Sequence, residues 1–165
     1  MPPLASGKRA PDFTLTTLGG EHFSLSKALE TGPVVLAFFK VTCPVCQYAF
    51  PFVERLSEAF RGMKATVIGI SQHPKKETTL FCKEYGVTFP VALDDPANYE
   101  VSNAYGLTNV PTLFYVAPDG TIDVSSVGWS RTDLASIHAR LVDATNASPP
   151  PLFHRGEQVI ESKAG

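Results

Sequence analysis

Apolar and polar positions along the chain follow two rhythms. In residues 12–18 and 21–25 they alternate, with Phe13, Leu15, Phe23 and Leu25 on one side and Gly19-Gly20 between the runs. That period, broken by a two-residue glycine turn, predicts a β-hairpin. Residues 34–39 are apolar at every position, the pattern of a central strand covered on both faces. In residues 44–60, Phe50, Val53, Leu56, Ala59 and Phe60 return at helical spacing, which predicts a helix. Residues 65–70 read as a second buried strand, and residues 75–85 as a helix closed by Gly86.

Residues 89–93 read as extended and 99–105 as a short helix. Residues 113–116 and 122–127 flank Ala117-Pro118-Asp119-Gly120, turn chemistry for an antiparallel hairpin. A last helix over 132–144 carries Leu134, Ile137, Leu141 and Val142 on one side and Asp133 near its start, where a carboxylate complements the helix dipole. Trp129-Ser130 before it supplies packing and an N-cap. Strands alternating with helices place the chain in the α/β class. Ser148-Pro149-Pro150-Pro151 cannot continue a helix. We therefore divide the chain into a domain over 1–146 and a proline-rich tail over 147–165. Phe153, Val159 and Ile160 equip that tail to dock across the domain or a partner, a frayed tail being the alternative.

Composition narrows the function classes. A chain of 165 residues with 44% hydrophobic and 18% charged residues fills one domain. The net charge of -2, with 14 Lys and Arg spread along the chain, gives no electrostatic footprint for nucleic acid or an anionic membrane. No apolar run approaches the roughly 18 residues a membrane-spanning helix needs. Residues 1–9 hold two prolines and no apolar core of a signal peptide, so the expected location is the cytoplasm. Three cysteines, an odd number in a chain of this size, do not form a structural disulfide framework.

Two of those cysteines form Cys43-Pro44-Val45-Cys46, directly after the apolar strand and directly before the amphipathic helix. A thiol at a helix start sits among unsatisfied backbone N–H groups and the positive end of the dipole, which favour the thiolate. A thiol three residues on lies about one turn away, within reach of a disulfide. The pattern points to two-electron dithiol/disulfide chemistry. No nucleotide or flavin motif accompanies it, so no cofactor is expected and electrons arrive by thiol exchange.

A strand, a Cys-x-x-Cys at the next helix start, and Val110-Pro111-Thr112 leading a hairpin together resemble the thioredoxin-like fold. That fold is a central mixed sheet flanked by helices. Ala10-Pro11-Asp12-Phe13 with the Gly19-Gly20 hairpin, and the helical and extended insertion over 75–105, are similar to the redoxin branch. That branch holds the alkyl hydroperoxide reductase and thiol-specific antioxidant (AhpC/TSA) proteins and the TlpA/ResA-like disulfide reductases. Pro51, five residues after Cys46, matches the kinking proline of the thioredoxin active-site helix. The resemblance covers about residues 7–145.

Peroxidases of the branch resemble one another in a Pro-x-x-x-Thr-x-x-Cys motif. With Cys46 in its cysteine slot, the threonine slot holds Cys43 and the proline slot Phe39; with Cys43 there, the threonine slot holds Lys40. Neither register fits. The resemblance therefore implies a thiol-disulfide oxidoreductase in which Cys43 attacks and Cys46 resolves, with a thiol-dependent peroxidase as the alternative and a dithiol copper or metal carrier behind it. The implied partners are a protein or small-molecule disulfide and a thiol donor such as a thioredoxin-type system.

The same resemblance makes Pro111 a cis-proline that turns the Val110 backbone toward an extended substrate. Thr42, where thioredoxins carry tryptophan, and Pro44 join it as substrate contacts, and Lys40 is a candidate for tuning the thiolate. The acidic or amide residue usual six positions before the first cysteine is Ala37 here. The proton of Cys46 is then left to a water, or to a carboxylate such as Glu84 or Asp94. Cys82, on a helix with Leu80, Phe81 and Tyr85, reads as a buried inert thiol, with a resolving role as the sharper alternative. His73 reads as a loop histidine, and no metal site is expected because the dithiol lacks a second ligand pair at finger spacing.

Overall fold

The computed structural model describes residues 3–165. At its centre lies a five-stranded mixed sheet of β3 (Val34–Phe39), β4 (Thr66–Ser71), β5 (Val91–Leu93), β6 (Thr112–Val116) and β7 (Ile122–Val127), ordered β5-β4-β3-β6-β7. β3 pairs in parallel with β4 and antiparallel with β6, and the β6–β7 hairpin is antiparallel. All six β3 residues are fully buried, because helices and loops cover both faces of the strand.

The two faces divide by parity. Val35, Ala37 and Phe39 point into a core shared with α2 (Pro44–Ala59), α3 (Lys75–Tyr85) and α5 (Arg131–Thr145). Val34, Leu36 and Phe38 point into the other, closed by α1 (Leu25–Leu29), α4 (Glu100–Ala104) and the N-terminal hairpin of β1 (Thr14–Thr16) and β2 (His22–Ser24). Aromatic rings fill both cores. Phe50 of α2 stacks on Phe39 at 4.3 Å between centroids, and Tyr105 meets Phe38 at 5.4 Å.

The structure refines three of the sequence expectations. Leu25 does not continue the hairpin strand: Ser24 caps a short helix by accepting the Lys27 N–H, so Leu25 opens α1. The extended segment expected over 89–93 shortens to Val91–Leu93, since the N–H groups of Thr88 and Phe89 both turn to the Glu54 carboxylate on α2. Leu80, grouped by sequence with the residues around Cys82, is 59% exposed on the outer side of α3.

Ser130 caps α5 by accepting the Asp133 N–H at 3.1 Å. Its replacement by alanine should lower unfolding stability by about 1 kcal/mol, read from the midpoint of a urea titration with an unchanged slope. After α5 the chain turns at Asn146 in the left-handed conformation. The proline segment then leads Leu152, Phe153 and Val159 back onto the α2 and α5 core. Trp129 anchors that return: its ring packs on Tyr48, Phe52 and Phe153, and its indole N–H donates to Ile160 O. A two-stranded ladder of β8 (Trp129–Ser130) and β9 (Ser162–Lys163) ends the docked tail. The tail is thus docked, not frayed. No helix among the described residues is long and apolar enough to cross a membrane.

Candidate active site

Every thiol at the site owes its environment to where β3 stops. The strand buries Phe39, and the next residue, Lys40, is exposed. A tight turn, with the Cys43 N–H donating to Lys40 O, then delivers Cys43 as the N-cap of α2 and Pro44 as its first residue. Proline fits there because the first turn of a helix has no use for its missing N–H. Cys43 Sγ does what a serine does at other N-caps: it accepts the Cys46 N–H at 3.2 Å. The candidate nucleophile is therefore built into the end of its own helix and half-buried.

Cys46 is fully buried on the inner side of that turn. Burial drives its thiol far above the ordinary value of 9.0, and the Cys43 side chain adds to the rise through a hydrogen bond and its charge. A backbone hydrogen bond and the positive charge of Lys40 work the other way. The two thiols are thus unequal by position: one is half-buried at the helix end, the other is held protonated in the core.

Val110 and Pro111 close the site from the opposite side. Their peptide bond is cis, and Val110 O lies 3.4 Å from Cys43 Sγ. Thr112 fixes this corner by donating its hydroxyl to Asn109 O at 2.7 Å. Thr42 and Pro44 flank Cys43 and are exposed. The structure thus brings together Cys43, Cys46, Lys40, Thr42, Pro44, Val110 and Pro111.

It does not bring the two candidate carboxylates to Cys46. Asp94 is buried but spends its oxygens on the start of α4, accepting from Val101 N, Ser102 N and Ser102 Oγ. Glu84 stands exposed on α3. The charged groups that act on Cys46 are Cys43 and Lys40. Ala37, fully buried in β3, contributes only packing.

Cys82 answers to a different neighbour. Burial and the Glu54 charge push its thiol up to about 11, and neither dithiol cysteine acts on it. A resolving role finds no support in that placement. Glu54 itself was not singled out by sequence; it sits inside the fold, accepting from Thr88 N and Thr88 Oγ1 as well as Phe89 N. His73 follows β4, its backbone N–H bonded to Ser71 Oγ. No cluster of metal-ligating side chains occurs among the described residues.

Periodicity gave no hint of two further parts of the site. A cavity of about 210 Å³ opens beside Lys40 and Val110, lined also by Gln72, Tyr99, Ser102 and Asn109. Gln72 donates from Nε2 to Ser102 Oγ at 2.9 Å, so the ends of β4 and α4 are stitched together on its wall. The other part is Gly128, whose N–H donates to Pro111 O. Its φ of +77° is open to glycine at no steric cost.

Residues 6–125 match the AhpC/TSA family. Among curated relatives, the thiol-disulfide oxidoreductase ResA of Geobacillus kaustophilus is 30% identical over 120 residues, covering 72% of this chain and 67% of the relative. ResA of Bacillus subtilis is also 30% identical over 120 residues, with 72% and 65% covered. The chain therefore spans about two thirds of the length of these relatives. Among solved structures, a putative protein disulfide isomerase from Bacteroides thetaiotaomicron superposes with a TM-score of 0.78 at 25% identity, over 88% of this chain and 95% of that one.

Proposed function

The chain belongs to the AhpC/TSA family and is a thiol-disulfide oxidoreductase, and we propose that it works as a reductase of protein disulfides with Cys43 as the attacking thiol. The observation that carries this reading is the inequality of the pair: Cys43 is only half-buried at the α2 N-terminus, while Cys46 is sealed one turn inside. Only the first is placed to meet a macromolecule. Burial of Cys46 also weighs against a peroxidase, since a peroxide has no open path to the cysteine in that register.

The steps balance as follows. The Cys43 thiolate attacks one sulfur of the substrate disulfide; the S–S bond breaks and the leaving sulfur departs as a thiolate that takes a proton from solvent. Cys46 loses its proton and attacks Cys43 Sγ, breaking the mixed disulfide. The substrate leaves with two electrons and two protons, and the protein holds the Cys43–Cys46 disulfide. A dithiol donor then reverses both steps on the protein, restoring Cys43 and Cys46.

During the first step an extended substrate lies along the Val110 backbone, as a strand lies along an edge, and Thr42 and Pro44 border it. Lys40 supplies positive charge at the strand end. We propose for the protein a reducing compartment, the cytoplasm, and a thioredoxin-type donor. Equilibration of the Cys43/Cys46 pair against glutathione redox buffers tests the direction. A potential near about -270 mV is expected, and one near about -120 mV would reverse the assignment to an oxidase.

A further inference from the structure

Residues 163–165 lie over Gly128 and the Val110-Pro111 corner, which the Gly128 N–H joins to Pro111 O. A Cβ at Gly128 would meet Lys163 O at 2.6 Å, with Gly165 N and Ala164 Cα just beyond. A Cβ at Gly165 would collide with the Val110 carbonyl, the same carbonyl that faces Cys43 Sγ. Asn109 Nδ2 donates to Gly165 O, and Arg131 N to Glu161 O. An extended segment, paired through its main chain with residues 129–131 and laid with Gly165 against the residue before Pro111, occupies the position an extended substrate needs.

We propose that residues 161–165 are an intramolecular strap that covers the peptide-binding surface at Val110-Pro111 beside Gly128, and that protein substrates displace it. The inference rests on the oxidoreductase reading and deepens it by naming a regulator of the same site. The sequence of the strap, Glu161-Ser162-Lys163-Ala164-Gly165, carries no sulfur, so it covers that surface without being turned over.

Its attachment is graded. Upstream, Leu152 is buried, Arg55 makes a paired hydrogen bond to the Glu157 carboxylate, and the Tyr48 hydroxyl accepts the Ile160 N–H. Downstream, all five strap residues are exposed and β9 pairs over only two residues. The anchor holds while residues 161–165 lift, and tethering keeps them at a high effective concentration over the site. Small disulfides need no strand pairing and reach Cys43 beside the strap.

A strap closed nine-tenths of the time raises the apparent KM of a competing protein substrate about tenfold. Deletion of residues 161–165 should therefore lower the KM for insulin about tenfold and leave turnover of 2-hydroxyethyl disulfide unchanged. Gly165→Leu, which leaves the upstream anchor intact, should act in the same direction. An unchanged or higher insulin KM in both variants overturns the strap. Alkylation of Cys43 in the reduced chain by a polyethylene-glycol maleimide reads the strap without any turnover. Faster alkylation after deletion is expected, and equal rates overturn the proposal. If the full chain and the deletion variant both fail to reduce insulin and 2-hydroxyethyl disulfide while alkylation still accelerates, the reductase reading fails and the strap stands.

Discussion

Cys43→Ser should reduce insulin-disulfide turnover by about 10³-fold or more, to the uncatalysed background, while Cys46→Ser should remain able to attack once and then stall. The difference follows from position. Cys43 is the half-buried sulfur at the α2 N-terminus and no other thiol can take its place there, since Cys46 is fully buried and Cys82, on α3, faces Glu54 of α2. Without Cys46 the mixed disulfide between Cys43 and substrate has no internal thiol to break it. Non-reducing electrophoresis and intact mass should show a substrate adduct on Cys43 in Cys46→Ser and none in Cys43→Ser. Cys82→Ser should retain full turnover. An adduct on Cys46, or loss of turnover in Cys82→Ser, would contradict the assignment of roles.

Release of the mixed disulfide should speed up about tenfold per pH unit between about pH 6 and pH 9, with no plateau. Burial is the largest cause of the raised Cys46 pKa, and it persists in the mixed disulfide, where the contributions from Cys43 are altered by bonding to substrate. The fraction of Cys46 thiolate is then small throughout this range and grows with hydroxide. Lys40 opposes the rise through its charge, so Lys40→Gln should slow release at any one pH. Rapid mixing of reduced protein with a dye-labelled disulfide peptide resolves the step. A plateau below about pH 8 would reveal a proton acceptor that the charges around Cys46 do not include. The sign for stability agrees: the reduced fold loses stability as pH rises past the ordinary thiol value of 9.0, where Cys46 ionises in the unfolded chain but not in the folded one.

The strap bears on how both measurements are read. A protein substrate reaches Cys43 only after residues 161–165 clear the site, so its association step carries the opening of the strap while the later release step does not. Peptide disulfides short enough to avoid the Val110 backbone isolate the thiol chemistry. The contrast between long and short substrates therefore separates strap occupancy from thiolate reactivity.

Much of the fold was written in local patterns. The all-apolar run of β3, the helical spacing of α2 and the Gly86 cap of α3 are each dictated by which residues a strand or helix must bury or bend, and each appears where the pattern placed it. The Cys-x-x-Cys at a strand-to-helix junction likewise announced a dithiol at a helix start, because the junction and the spacing are both local. Local patterns were silent on Glu54: Thr88 and Phe89 reach its carboxylate from 34 and 35 residues away and satisfy it inside the fold. Asp94 has the chemistry of a proton acceptor for Cys46, but the start of α4 consumes its carboxylate.

By itself, then, the sequence determined the strands and helices and the dithiol, because these follow from periodicity, capping and the spacing of neighbours along the chain, while the proline that faces the dithiol was implied by the resemblance to thioredoxin-like proteins. Only the tertiary structure decided which carboxylates stay away from Cys46, that Cys82 belongs to another neighbourhood, and that the tail returns to Val110. Those are contacts between segments up to 67 residues apart at the dithiol and 56 residues apart at the strap. Such contacts depend on how the sheet orders its strands and where two cores place the helix ends, and no local rhythm of apolar positions encodes them.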